Sequence, residues 1–436
     1  MHNSRETREF FQYVIPSVFA FALSGVYAIV DGFFVGNSLG DAGLSAVNIA
    51  YPITALIQAA GTGIGMGGAV CYAVNMAEKK EKEAGIYMAG ALWLMIGASI
   101  VLTACFFFLR VPVLRLLGAE GETLVLAEEY TAVIALGTGL QVIGTGLVPF
   151  IRNLGGSVYA MIAMASGFIA NIVLDYAFVW VWNQGAAGAA AATVISQGVT
   201  LLIALFFLLR NKTLALAVSA AQFAAAAALI IKIGIAPFGL AMTPNISLAV
   251  INRFSAFYGG ETAIAVYACI AYMISIVYLV FQGVGDGSQP LISRYYGERD
   301  FARMKTARSK AYKFALFLAA AACLVLYVLR KDIGLLFGAS SEVNAEIAEI
   351  MPIFLAAVPF VAVARITTAS FYAAKKSSLS YVLTFIEPVL MLVCMLVLPP
   401  LFGGQVMIWW SSVIAQIASA AAALMLKRRA DRRDMI

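Results

Sequence analysis

Two aspartates set in long apolar runs are the residues of this chain best suited to chemistry. Asp31 follows VYAIV and Asp175 ends NIVLD, and a charge near the centre of a bilayer costs on the order of a few kcal/mol unless it is paired or wetted. Their depths agree. Asp31 lies five residues before Gly36, where its apolar run ends, and Asp175 seven before Trp182; Thr193 is about six residues into the run that follows. At about 1.5 Å per residue all three sit roughly 8–11 Å below one surface. Asn171, four residues before Asp175, shares its helix face one turn deeper. Two carboxylates, an amide and a hydroxyl at one level make an oxygen-rich site for Na⁺, or a pair that shares a proton because burial and mutual repulsion disfavour two charges. Either would couple an ion gradient to the protein.

The elements that hold these residues must be membrane helices. Of 436 residues, 62% are hydrophobic and 12% charged, against about 45–50% and about 25% in soluble domains, so there is too little polar surface for a water-soluble globule. His2 is the single histidine, which removes His-based catalysis, His-ligated metal and a Ser/His/Asp triad. Cys71, Cys105, Cys269, Cys323 and Cys394 lie far apart in apolar runs without CxxC spacing, and read as small hydrophobes. No GxxxxGK[ST] sequence occurs, so ATP hydrolysis on this chain is not the energy source. An enzyme is not expected, and no cofactor beyond a coupling ion, H⁺ or Na⁺.

About 20 apolar residues span a bilayer as helix. Twelve spans are predicted, near 10 to 36, 46 to 77, 84 to 109, 126 to 150, 155 to 182, 187 to 209, 233 to 259, 262 to 290, 311 to 329, 346 to 371, 377 to 398 and 405 to 426. The Ala-rich stretch from Leu214 to Ile231 reads as a lead-in or interfacial helix or a cytoplasmic linker. Alternate loops differ sharply in basic residues. One side carries Arg5 and Arg8, Lys79, Lys80 and Lys82, Arg152, Arg210, Lys212 and Lys232, the cluster from Arg294 to Lys313, Lys375 and Lys376, and the basic tail. The other holds Arg110, Arg115, Arg330 and Lys331. Both termini are therefore expected on the cytoplasmic side of the cell membrane. The net charge of +6 reflects this bias and contact with anionic lipid, with no nucleic-acid partner implied.

The sequence repeats itself at an offset of 220. Gly63, Gly65 and Gly67 fall on Gly283, Gly285 and Gly287, VLRLLGAEGE from Val113 on IGLLFGASSE from Ile333, and VISQ at Val194 on VIAQ at Val413 after a one-residue slip. The prediction is an all-α integral membrane protein of two pseudo-symmetric six-helix bundles, residues 1–210 and 233–436, joined by 211–232. Duplicated bundles with even span counts suit a carrier whose substrate lies between them. GTGIGMGG contains the GxGxxG spacing but no βαβ context, so its glycines are assigned to close helix packing.

The carrying features, VYAIVDGFFVG, NIVLD, Thr193 eighteen residues later, the paired glycine segments and QPLISRYYG from Gln289, resemble multidrug and toxic compound extrusion (MATE) family transporters over nearly the whole chain. The resemblance implies Asp31, Asn171, Asp175 and Thr193 as cation ligands or proton carriers, Tyr27 beside them, and Pro16 as the bending point of the first helix. The implied activity is H⁺- or Na⁺-coupled antiport by alternating access, with small organic, cationic amphipathic substrates leaving the cell. The family's second pattern uses carboxylates in the seventh and tenth spans, where this chain has Arg253 and Arg365. Acidic and aromatic residues available to a cation are Asp286, Glu387, Tyr27, Tyr51 and Phe254. Arg253 and Arg365 either pair with Asp286 or Glu387, or suit an anionic or zwitterionic substrate. An exporter or flippase of anionic or lipid-linked compounds is the competing reading; a channel would be excluded by saturable counterflow. The expected partners are the small substrate and membrane lipid, with the chain acting as a monomer.

Overall fold

Once the chain enters lipid, each backbone N–H and C=O must be satisfied within its own segment or sheet, and this chain answers with helix. The computed structural model describes residues 2–433. The helices are α1 (His2–Ala77), α2 (Glu81–Leu116), α3 (Gly121–Leu136), α4 (Thr138–Asn153), α5 (Ser157–Asp175), α6 (Gly185–Arg210), α7 (Ala220–Gly297), α8 (Phe301–Leu329), α9 (Ile333–Leu336), α10 (Ser341–Ala373), α11 (Ser377–Phe402) and α12 (Gly404–Arg433), with a π-helical turn Tyr176–Val181 after α5. No strand occurs among the described residues. Ten helical stretches are long and apolar enough to cross a membrane; α3 and α4 form an eleventh, bent by 56°, and α7, at 78 residues, contains two of the predicted spans. The twelve-span, all-helical reading holds.

Helix and span do not correspond one to one. At about 1.5 Å per residue, the 76 residues of α1 would stretch roughly 110 Å if straight, so the chain must double back within it. The neighbours show that it does. Tyr27 stacks on Phe168 and Phe34 packs on Tyr176, so the first part of α1 runs parallel to α5. Its second part runs parallel to α4, with Gly61 against Val142, Gly65 against Gly146 and Tyr72 against Phe150. α4 in turn runs parallel to α6, pairing Gly137 with Val194 and Gly144 with Leu201. α5 runs against α6, pairing Tyr159 with Phe207 and Ala163 with Thr200. The two parts of α1 are therefore antiparallel, as two successive crossings must be. In α7 the break is Gly260, whose φ of 65° lies outside the helical region and suits a residue without Cβ. The predicted single span 126 to 150 is divided at Gly137, where the bend falls.

The chain forms two compact units, Met1–Met242 with Ser293–Asp300, and Thr243–Ile292 with Phe301–Ile436. These partings differ from the expected lobe boundaries at 210 and 233. Helix α7 starts in a capping box, Ser219 Oγ accepting from Gln222 N–H and Gln222 Oε1 from Ser219 N–H. Its first turns, with buried Ala226 and Ile230, belong to the core of the first unit. The Ala-rich stretch thus begins in a segment that is neither helix nor strand, residues 213–219, and continues as the start of α7.

The duplication is written in the backbone. Left-handed residues that end helices recur at the repeat offset: Lys79 (φ 61°) with Arg299 (59°), Gly118 (98°) with Gly338 (67°), Gly155 (83°) with Lys375 (54°), and Asn183 (50°) with Gly403 (99°). Gly185 and Gly404, both at 63°, follow after the one-residue slip. Their hydrogen bonds repeat too: Lys80 N–H reaches Asn75 C=O at 2.9 Å, as Asp300 N–H reaches Tyr295 C=O at 2.9 Å, the 6→1 bond of a Schellman cap.

The GxGxxG stretch packs, as expected. A Cβ on Gly65 would lie 2.2 Å from the Gly146 carbonyl oxygen, and one on Gly67 2.2 Å from that of Ile230. Backbone meets backbone here, so α1 approaches α4 and α7 only because these side chains are absent. Gly65→Ala should force the helices apart and lower stability by about 1–3 kcal/mol or more. Gly97, exposed on α2 with nothing within 4 Å of an added Cβ, should accept alanine with a gain of about 0.5–1 kcal/mol. Unfolding midpoints of the purified variants in detergent check both signs.

Candidate functional site

The predicted polar set assembles in the first unit. Asn171 and Asp175 stand one turn apart on α5, Thr193 faces them from α6, and Asp31 reaches in from α1. Asp175 is fully buried, Asn171 and Thr193 nearly so, and Asp31 is half-buried. The α5–α6 approach that joins them depends on Gly167, where a Cβ would lie 2.2 Å from Thr200 Oγ1. Asn171 turns its amide nitrogen to Asp175 Oδ2 at 2.6 Å and accepts from Thr193 N–H at 3.1 Å, an orientation assigned from those partners. Thr193 Oγ1 lies 3.4 Å from the amide. Asp175 Oδ1 is buried without a hydrogen-bond partner, and the Asp31 and Asp175 carboxyl groups lie close enough to interact. Two carboxyl groups can hydrogen-bond to each other only if one of them carries a proton.

Hard cations need several oxygen ligands. Asn171 spends its oxygen on a backbone N–H and offers nitrogen to the carboxylate, so the amide is not free as a cation ligand in this arrangement. Among the described residues no group of three or more His, Cys, Asp or Glu is placed to hold a metal ion.

Tyr27 lies against the pair as expected, its ring stacked on Phe168 at 5.3 Å and its hydroxyl in contact with Thr193. Pro16 is buried inside α1. Tyr51 is 53% exposed on the same helix. Two residues that the sequence reading missed join the site: Tyr130 of α3 has its hydroxyl near Thr54 and Thr193 and senses the charge of both aspartates. The predicted span beginning near 126 puts Tyr130 at an interface. Helix α3 starts at Gly121, which carries the tyrosine nine residues in, roughly 13 Å along the axis. The signal available was a hydroxyl on an otherwise apolar face.

In the second unit three of the other four intramembrane charges form one network. Gln282 Nε2 donates to Asp286 Oδ1 at 2.7 Å, Tyr372 Oη donates to the same atom at 2.9 Å, and Arg365 Nη1 donates to Gln282 Oε1 at 3.3 Å. The guanidinium lies 5.1 Å from the Tyr278 ring centroid, and Gln416 donates to Tyr278 Oη at 2.8 Å. Glu387 attracts Arg365 and contacts Gln416. Arg253 stands apart, exposed on α7 and outside the surroundings of Arg365 and Glu387.

A sequence model of the MatE family matches residues 16–177 and 242–397. The multidrug export protein MepA of Staphylococcus saprophyticus subsp. saprophyticus is 27% identical over 317 residues, 72% of this chain and 69% of that protein. MepA of Staphylococcus haemolyticus is 25% identical over 401 residues, 91% and 87% of the two chains. Among solved structures, a MOP superfamily transporter from Pyrococcus furiosus Vc1, described as having a binding pocket of reverse polarity that suggests a different function, aligns with a TM-score of 0.92 at 22% identity, covering 99% of this chain and 97% of that one. An outward-facing multidrug resistance MATE family transporter of the MOP superfamily aligns at 0.91 with 21% identity, covering 98% and 96%. At these identities the structural likeness is one of fold.

The amide bond to Asp175 makes a prediction of its own. Asn171→Leu strands a buried carboxylate oxygen and should cost about 1–3 kcal/mol. Asp175→Leu in the same chain should recover much of that loss, because both polar partners are then gone. A double-mutant cycle of detergent unfolding midpoints checks the coupling.

Proposed function

The chain belongs to the MatE family of membrane transporters, and from that premise we propose that it exports small organic, cationic amphipathic compounds in exchange for protons, by alternating access. The observation that carries the ion is the Asp31–Asp175 contact beside an amide that presents nitrogen to the carboxylate. The names of the multidrug export relatives support the substrate class. The one-sided distribution of basic loops supports cytoplasmic termini, in a monomer embedded in the cell membrane.

The chain's own residues suffice for the coupling step. With the pair open to the outside, one proton lets the Asp31 carboxyl bond to Asp175 and halves the charge buried there. Asp31 rides on α1 and Asp175 on α5, so the contact draws one helix toward the other. Pro16 lacks the N–H that would hold the carbonyl of Gln12, which gives α1 a place to bend as it moves. Bending reshapes the space beside α1 and lowers affinity for the substrate, which leaves outward. Tyr27, Tyr130 and Thr193 keep the pair dry on its apolar side. Loss of the proton inward restores two charges, and the contact opens. An inward proton gradient drives the cycle, each charge crossing 100 mV contributing about 2.3 kcal/mol.

The test is efflux of rhodamine 123, an organic cation, from proteoliposomes under separately imposed H⁺ and Na⁺ gradients. Wild type should respond to H⁺ alone, with at least tenfold less gradient-driven efflux in Asp31→Asn and Asp175→Asn. Response to Na⁺ instead, or full gradient-driven efflux in both variants, would overturn the assignment.

A further inference from the structure

In the second unit a membrane-embedded arginine is held near two carboxylates and bonded to neither. Guanidinium carries five N–H donors. Nη1 of Arg365 meets a neutral amide oxygen at 3.3 Å, and Nε, which is buried, meets no acceptor. Among the described residues no ion pair joins Arg365 to a carboxylate. A neutral amide stands between Arg365 and one of the two carboxylates. Gln282 sits between Arg365 and Asp286, giving its nitrogen to Asp286 Oδ1 and its oxygen to Arg365. Gln416 reaches both Tyr278 Oη and Glu387, and Glu387 acts on Arg365 through its field and not through a hydrogen bond.

Each element packed around the guanidinium contributes to this spacing: Tyr278, Gln282 and Asp286 from α7, Tyr372 from α10 itself, Glu387 from α11 and Gln416 from α12. Burying an arginine this way is unfavourable unless something completes its hydrogen bonds. Arg365 and Glu387 are both only half-buried, so an incoming molecule can reach each of them. The Tyr278 ring covers one face of the guanidinium, leaving the donor edge as the place where an acceptor would dock. Planar guanidinium presents paired N–H groups that match a carboxylate better than any other side chain does.

We propose that Arg365 is an oxyanion-recognising subsite of the transported molecule, so that the substrates include amphoteric aromatic compounds bearing a carboxylate together with their positive charge. Glu387 competes with that carboxylate for Arg365 and keeps the subsite from trapping simple inorganic anions. The inference rests on the transporter reading but not on the identity of the coupling ion.

Rhodamine 110 and rhodamine 123 test it, because they share one cationic ring system and differ in a free carboxylate against its methyl ester. Binding to the purified protein in detergent is followed by fluorescence polarisation, with proteoliposome efflux in parallel. Arg365→Gln should weaken rhodamine 110 binding about tenfold or more, the loss of a charge-assisted contact, and leave rhodamine 123 within about twofold. Arg365→Lys should fall between. Glu387→Gln should tighten rhodamine 110 and not rhodamine 123, a result that general loss of structure does not produce. Equal effects of Arg365→Gln on both dyes, or no effect on either, overturns the subsite, as does a wild type that binds the ester and not the acid. A wild type that binds and moves neither dye overturns the organic-cation export reading, and the subsite with it.

Discussion

A carboxylate removed from water has to be met by a donor, a cation or a proton, and much of the first unit is arranged around that demand. Asp175 is buried without any exposure. Its Oδ2 is answered by Asn171 from the same helix face, and Asn171 is in turn fixed by the backbone of Thr193 on α6. The α5–α6 approach needs Gly167, and the neighbouring α1–α4 approach needs Gly61 and Gly65. The π-helical turn that follows directly after Asp175 is the kind of irregularity that inserts a residue and re-aims a helix near a functional side chain. What is left over is Oδ1, buried without a hydrogen-bond partner, on the carboxyl group that the Asp31 carboxyl approaches from α1.

Much of this was readable in advance because lipid leaves few choices. The count of twelve crossings, their all-helical character and the duplication come from apolar length and from repeated glycines, and the structure returns the duplication as paired left-handed turns. Asp31, Asn171, Asp175 and Thr193 were found together because depth is countable along a helix. Tyr130 and Thr54 escaped the same counting. A tyrosine near a span boundary looks like an interfacial anchor, and the bend at Gly137 that turns α3 and α4 apart depends on packing against Val194, which is 57 residues further along. The run of helix through α1 and the docking of the first part of α7 in the first unit are likewise tertiary outcomes: apolar pattern marks a span, but it does not say which neighbour the span will choose.

The two units share a backbone plan and differ in electrostatics. In each, the second, fourth and sixth crossings run in one direction, as Tyr267 with Phe354 and Trp409, and Asp286 with Tyr372, show for the second unit. In the first unit two acids meet with no base between them. In the second a base stands near two acids without pairing to either, an amide lying between it and Asp286. Duplication supplied two equal frames, and a handful of polar substitutions gave one frame a surplus of negative charge and the other an arginine with unused donors.

The composition of the first unit has a consequence for biosynthesis. That unit includes the start of α7 up to Met242 and the segment Ser293–Asp300, where Arg294 pairs with Glu9 at 2.8 Å and Gly297 lies against Val74 and Ala77. Six crossings emerging from the ribosome are thus an incomplete body. Membrane insertion of the first half precedes its final packing, and residues that seal the glycine surface of α1 arrive only after the chain has entered its second repeat. Domains generally fold as units, N-terminal first, as the chain grows; here the earlier repeat must wait, partly open to lipid, for a piece of the later one.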